Sequence, residues 1–506
     1  MFYPKNIFWF LTIKNISFYL FLLLFIMIYC DTYSQNNNRQ DSPNIIVILA
    51  DDFGYGSVNS YGASKELIRT PHIDKIADEG MRFTDASTPS SVCTPTRYSL
   101  LTGEYPWRSS LKYGVTGVTS PLLIDPDKST LSGLLQTRGY NSAAIGKWHL
   151  GYTNSSPDYT KKLTPGPLQL GFNYHFDVPQ NHGDITGVYV ENEYVYGLRS
   201  DKVQPFSRSY YGPQYFGIDA PQRVNKNVMG TLTDKAVEWL KRQNKKEPFF
   251  LYYTPVAVHI PITPSDEMRG LSDAGPYGDF IQDLDLSVGR ILATLDYMGV
   301  SENTLVIFTS DNGGQIPFEN DPRFVHDYTS SPEIQAVHAG LKINGALRGD
   351  KHTAFEGGTR VPFIVKWPGV VEEGSVSDEM INIVDIFATV AEITDGEVPS
   401  PGEAAPDSYS FLAVLSQSGH TQRTTMVTAN VNGRQAIRKG EWKYIDDTLP
   451  SSLPKERLGQ FGDLKEPQLY NLAEDPEESR NLYEANPEVV DELLRELEQL
   501  RKAASL

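Results

Sequence analysis

The sequence predicts an α/β fold: a mostly parallel sheet flanked by helices, followed by a smaller C-terminal α+β part with an antiparallel sheet and a helix. Three observations predict it. Continuous β-branched runs, above all 44–50, lack the polar alternation of a half-exposed strand and read as strands buried on both faces. Segments of helical spacing alternate with these runs. Polar clusters follow the strand-like runs at once, where open α/β sheets bind ligands.

Taken in order, residues 1–34 read as an export signal. Lys5 and Lys14 precede an apolar run over 16–28, short for a membrane span and suited to a signal core. Thr32 and Ser34 fit cleavage before Gln35. A lipidated Cys30 is the second option, poorly matched by Met27-Ile28-Tyr29, and an uncleaved anchor is the third. The expected location is secreted or periplasmic, with no membrane span after cleavage. Residues 35–43 form an Asn-rich linker, and 44–405 the main domain.

Within that domain the run 44–50 ends in Asp51-Asp52. A helix at 71–80 and a strand at 81–86 lead to Cys93. Thr94 is placed to cap a short helix there, with Pro95 in its first position. A helix at 130–138 and a strand at 141–145 lead to Gly146-Lys147-Trp148-His149. Residues 152–225, rich in Pro, Gly and Tyr, read as long loops with short strands. Next come a helix at 232–243, a strand at 249–254 running out to His259, and a helix at 277–298. A strand at 304–309 ends in Ser310-Asp311-Asn312-Gly313. The stretch 315–346 looks irregular. It is followed by Gly349-Asp350-Lys351 and a strand at 363–365. Residues 406–506 change pattern, with short antiparallel strands at 425–431, 435–438 and 442–445 and a charged amphipathic helix at 487–502.

The net charge of −18 argues against a nucleic-acid or polybasic membrane partner. An anionic substrate therefore needs a local positive pocket. The two cysteines are Cys30 and Cys93. Without the leader Cys93 stands alone, so no disulfide forms within one mature chain.

The segment 90–103 reads S-S-V-C-T-P-T-R-Y-S-L-L-T-G. It puts Cys93 at a helix mouth, where free N–H groups favour an anion. Arg97 can reach the same spot with a planar donor fork suited to a tetrahedral oxyanion. Alone, such a cysteine is an ordinary small buried residue. Asp51, Asp52, Asp311 and Asn312 offer four hard oxygen donors at two strand ends, a set suited to Ca²⁺ and less to Mg²⁺. Alone, each pair is ordinary turn chemistry.

Together Cys93, Pro95, Arg97, Leu101, Thr102 and Gly103 form C-x-P-x-R-x-x-x-L-T-G, which resembles the signature of the type I sulfatases. The segment 171–198 is similar to arylsulfatase A-like and N-acetylgalactosamine-6-sulfatase-like enzymes. The resemblance implies an alkaline-phosphatase-like fold and a calcium-dependent sulfuric ester hydrolase. It implies that a maturation enzyme oxidises Cys93 to formylglycine. One Ca²⁺ per chain would be held by Asp51, Asp52, Asp311, Asn312 and the modified Cys93. Arg97, Lys147, His149, His259 and Lys351 fall at family positions for sulfate binding and proton transfer. In that scheme one hydroxyl of the hydrated aldehyde attacks sulfur, His149 takes the proton of the second hydroxyl, and His259 beside Lys351 protonates the leaving oxygen. Arg97, Lys147, His259 and Lys351, with His182, would touch the substrate.

The expected substrate is a sulfated polysaccharide or oligosaccharide. The two irregular stretches carry His182, Arg199, Arg323, His326 and His338 beside Tyr189, Tyr194, Tyr196, Tyr210 and Tyr211, a mixture suited to sugar rings and further anionic groups. Two alternatives stay open. One is a phosphatase or phosphonate monoester hydrolase on the same scaffold, and the other is a protein that binds sulfated glycans without turnover.

Overall fold

A computed structural model describes residues 42–203, 216–317, 328–395, 404–446 and 466–503. The export-signal reading, Cys30, and almost all of the 35–43 linker lie outside the described residues.

The strands are β1 (Asn44–Ala50), β2 (Met81–Phe83), β3 (Ala86–Ser87), β4 (Asn141–Lys147), β5 (Tyr174–Val178), β6 (Val190–Glu191), β7 (Tyr194–Val195), β8 (Phe249–Thr254), β9 (Thr304–Ser310), β10 (Phe363–Lys366), β11 (Ser375–Ser377), β12 (Ile381–Asn382), β13 (Thr425–Ala429), β14 (Gln435–Lys439), β15 (Trp442–Ile445) and β16 (Gln468–Asn471). Ten of them form one sheet in the order β11-β2-β10-β9-β1-β8-β4-β5-β6-β7. The central five, β9-β1-β8-β4-β5, are parallel. β10 runs antiparallel to both neighbours, and β6 and β7 close the far edge antiparallel.

β1 shows why the run is apolar throughout. Successive strand residues point to opposite faces. Ile45, Val47 and Leu49 join one buried cluster, and Ile46, Ile48 and Ala50 join the other. Helices Cys93–Thr102, Leu131–Thr137 and Ile386–Asp395 cover the first face. Helices Pro71–Asp78, Val228–Lys241 and Gly275–Met298 cover the second. Each fully buried Ile, Val or Leu contributes about 1.5–3 kcal/mol relative to exposure.

β4 runs two residues beyond its expected end, so Lys147 is its last residue and not part of the following turn. Gly146 permits this. Its φ is 131°, and a Cβ there would lie 1.9 Å from the Thr254 carbonyl oxygen of β8. Only glycine lets the two strand ends approach so closely. The stretch 315–346 contains the helix Pro332–His338, capped by the Ser331 hydroxyl on the Ile334 N–H. Helix Ile386–Asp395 and strand β16 were also not expected from the sequence.

The last part is a four-stranded antiparallel sheet, β13-β14-β15-β16, packed against helix Pro487–Ala503. Its apolar core also takes in Tyr105 and Val384 from the preceding part of the chain. The end of β13 reaches further. Ala429 exchanges backbone hydrogen bonds with Pro89 and Ser91, at 3.0 and 2.9 Å. Val431 N–H donates to the His352 carbonyl, and His352 N–H donates to that of Ser91. Buried ion pairs add to this seam. Lys443 lies 2.8 Å from both Glu356 and Glu478, and Arg360 bridges Glu356 and Asp85.

Candidate active site

Four adjacent parallel strands, β9-β1-β8-β4, deliver the polar motifs to one edge of the sheet. Asp51 and Asp52 follow β1, and Asp311 and Asn312 follow β9. Lys147 ends β4, with His149 two residues on, and His259 lies beyond β8. Lys351 arrives from the segment between helix Pro332–His338 and β10. All are buried.

Cys93 is the first residue of helix Cys93–Thr102, and Val92 occupies the cap position without a side-chain cap. The expected cap by Thr94 is therefore not formed. The Thr94 hydroxyl is committed elsewhere, donating to the His149 carbonyl at 3.0 Å. Because the helix already begins at Cys93, Arg97 lies one turn further on, not in the first turn.

Three cations meet three carboxylates here. Arg97 Nε and Nη2 donate to Asp311 Oδ2 at 3.1 and 2.7 Å, and its Nη1 donates to the Lys147 carbonyl. Lys147 Nζ donates to both Asp51 oxygens at 2.7 and 2.9 Å and stands 3.3 Å from Cys93 Sγ. Lys351 Nζ donates to Asp52 Oδ2 at 2.7 Å, with His259 Nε2 3.7 Å from the same oxygen. Cys93 Sγ lies 3.7 Å from Asp51 and 3.9 Å from Asp52.

Burial holds the Asp51 carboxyl above its usual range against the pull of Lys147. Burial pushes Asp52 the same way, but Lys351 and Lys147 outweigh it and hold that carboxyl low. The Cys93 thiol is pushed up to about 12 by burial and then by Asp311. As a thiol it is therefore a weak nucleophile. Both histidines are held well below the ordinary imidazole range, by burial first, then by Lys147 for His149 and Lys351 for His259. His259 Nδ1 donates to the Ile260 carbonyl, which leaves the Nε2 lone pair free to accept a proton.

The donors fit a hard cation. Asp51, Asp52, Cys93 and His259 bring ligand atoms within 4.8 Å of one another. Asn312 Nδ2 donates to Asp52 Oδ1 and the Gly313 carbonyl, which turns Oδ1 inward, buried and without a protein partner. An oxygen so placed fits a cation-binding role.

His182 is buried, with Nε2 on the Pro261 carbonyl at 2.8 Å and 3.2 Å from Thr263 Oγ1. It packs against the segment just after His259, and burial lowers its imidazole to about 3. The outer residues do not converge with it. Tyr189 stacks on Phe176, Tyr196 meets the same ring edge-on, and Lys235 of helix Val228–Lys241 lies over both Phe176 and Tyr196. Tyr194 is exposed, exposed Arg199 pairs with Asp219, and His338 ends its helix exposed. Tyr210, Tyr211, Arg323 and His326 lie outside the described residues. One residue at the site carried no sequence signal: Thr116, whose carbonyl receives His149 Nε2 at 2.9 Å.

Comparison with known proteins places this arrangement. The sulfatase family model matches residues 43–396. The chain is 35% identical to an N-acetylgalactosamine-6-O-sulfatase of Bacteroides thetaiotaomicron, covering 96% of this chain and 99% of that one. It is 31% identical to arylsulfatase A of Bos taurus, over 90% of this chain and 87% of the relative. A solved structure from work on the metabolism of multiple glycosaminoglycans by Bacteroides thetaiotaomicron aligns at a TM-score of 0.82 and 35% identity, covering 91% of this chain and 100% of that one.

Proposed function

The chain belongs to the sulfatase family and is a sulfuric ester hydrolase, and from that premise we propose an exported, calcium-dependent enzyme that removes sulfate from a glycan through a formylglycine made from Cys93. The observation that carries this reading is the buried convergence of Cys93 with oxygen donors on one side and Arg97, Lys147 and Lys351 on the other. Burial raises the Cys93 thiol pKa, which makes an unmodified Cys93 a poor nucleophile in the folded site. A hydrated aldehyde at position 93 would supply an oxygen nucleophile that can later release sulfate by breaking its own C–O bond.

Asp51, Asp52, Asp311, Asn312 and the modified Cys93 would hold Ca²⁺, which supplies positive charge to the sulfate oxygens when bound. Arg97, Lys147 and Lys351 bind the same anion and stabilise the charge that builds up as the ester bond breaks. His149, neutral, accepts a proton. His259 carries its proton on Nδ1, so Nε2 delivers one only as the imidazolium. The sulfate anion brought beside it favours that form. In this reading residues 44–405 form the catalytic domain and 406–506 a C-terminal subdomain.

The substrate class follows from the relatives. Identity of 35% along nearly the whole length of an N-acetylgalactosamine-6-O-sulfatase supports a 6-O-sulfated galactosamine unit of a glycosaminoglycan-like polymer. A desulfation screen over sulfated mono- and oligosaccharides tests it. The 6-sulfated N-acetylgalactosamine members should turn over fastest, and matching phosphate esters far more slowly. Preference for another sulfate position would overturn the substrate assignment.

A further inference from the structure

His149 is gripped at both ends by a single residue. Its backbone sits at φ 57°, a left-handed conformation that strains a non-glycine residue. Two hydroxyls hold it there, Thr116 Oγ1 and Thr94 Oγ1, which donate to the His149 carbonyl at 2.9 and 3.0 Å. The two threonines also tie to each other, with Thr116 N–H donating to Thr94 Oγ1 at 3.2 Å. At the other end, His149 Nε2 meets the Thr116 carbonyl at 2.9 Å. The same oxygen accepts from Gln180 Nε2 at 3.2 Å. A carbonyl oxygen only accepts, so Nε2 must carry the proton. That leaves the lone pair of the neutral ring on Nδ1, which is buried and has no protein partner among the described residues.

We infer that Thr116, seconded by Thr94, is a positioning residue that fixes His149 as its Nε2–H tautomer and so makes Nδ1 the nitrogen that accepts the proton during turnover. The tautomer rests on the hydrogen bonds alone. Its effect on rate rests on the reading of His149 as the base. Thr94 lies inside the cysteine motif, whereas Thr116 comes from the loop that follows it. The loop therefore ties the cysteine helix to the base.

The test uses matured enzyme with ring-¹⁵N histidine and the variants Thr116→Val and Thr116→Ser, with His149→Gln to identify the His149 signals. Wild type should show a protonated Nε2 and an unprotonated, pyridine-type Nδ1. Thr116→Val keeps the side-chain shape and removes the hydroxyl. It should leave the Nε2–H tautomer in place, because the backbone carbonyl that sets it is unchanged, and lower kcat roughly tenfold or more, with KM within about twofold, as His149 loses a hydroxyl that holds its backbone. Thr116→Ser, which keeps the hydroxyl, should retain the wild-type kcat. A protonated Nδ1 in wild type would overturn the proposal. So would a Thr116→Val enzyme with unchanged kcat, or an equal loss of kcat in the Val and Ser variants accompanied by a lower Tm. Wild-type kcat in His149→Gln would remove the base reading instead, and the nitrogen spectrum would still decide the tautomer.

Discussion

Lys443→Met offers a test of the seam between the C-terminal sheet and the segment that carries Lys351. Lys443 is almost wholly buried and stands 2.8 Å from both Glu356 and Glu478, which are equally buried. Glu356 keeps a second cation, Arg360, at 2.6 Å. Among the described residues Glu478 has Lys443 as its cation, and otherwise accepts the Glu356 N–H. Removing one member of a buried pair costs about 3–5 kcal/mol when the other must stay charged. Here the other can protonate. Burial already holds the Glu478 carboxyl above its ordinary value against the pull of Lys443. Without Lys443 it rises further. A carboxyl whose folded pKa exceeds its unfolded one binds more protons in the folded state between the two values. Stability therefore falls as pH climbs through that window. The variant should lose about 1 kcal/mol or less at the acidic end of that window, where protonation of Glu478 removes the orphaned charge, and about 3 kcal/mol at its alkaline end. Thermal melts of both proteins across that range read the difference. Glu478→Gln in the Lys443→Met background should recover most of the loss at the alkaline end, because it removes the orphaned charge. An equal loss at both ends, or no recovery in the double variant, would refute the reasoning.

Three further outcomes are expected. The peptide carrying Cys93 from active enzyme should weigh about 18 Da less than its sequence, as –CH₂SH becomes –CHO, and Cys93→Ala should abolish turnover with little change in Tm; active enzyme holding only intact cysteine would contradict this. Chelation should abolish activity and lower Tm by the linkage between binding and folding, with elemental analysis finding one divalent metal per chain. That Tm drop should be moderate, because Arg97, Lys147 and Lys351 already pair the carboxylates. Sulfated oligosaccharides should exceed a nitrophenyl sulfate in kcat/KM if contacts remote from the sulfur are used for catalysis.

The central site was legible because a parallel sheet gathers its strand ends on one edge. Asp51, His259 and Asp311 each follow a β-branched or aromatic run, while Lys147 closes the small-residue strand β4, and the sheet order brings all four together. Thr94 was misread for a physical reason. The helix starts one residue before the expected cap, at Cys93, so Thr94 lies inside its first turn and its hydroxyl donates to a carbonyl 55 positions away. Thr116 was invisible, since its role depends on a loop crossing that no periodicity records. The tyrosines of the 152–225 stretch mislead in the opposite direction. Tyr189 and Tyr196 suit a sugar ring by chemistry, yet an exposed strand edge needs the same rings to cover Phe176. Helix Pro332–His338 did have a local signal in Ser331-Pro332, an N-cap followed by proline in the first turn.

The clasp of β13 on the cysteine segment has a consequence in time. Pro89 and Ser91 leave the ribosome about 340 residues before Ala429, which they bond. At about 5–20 residues per second, the segment beside Cys93 waits on the order of 20–70 s for its partner strand. Until then nothing from the C-terminal sheet holds it down. Once β13 docks, the segment just before Cys93 is tied down, and Cys93 is buried in the folded chain. Under the proposed conversion of Cys93, the growing chain offers the segment before its partner strand arrives, and a slower passage through the last hundred codons would lengthen that opportunity.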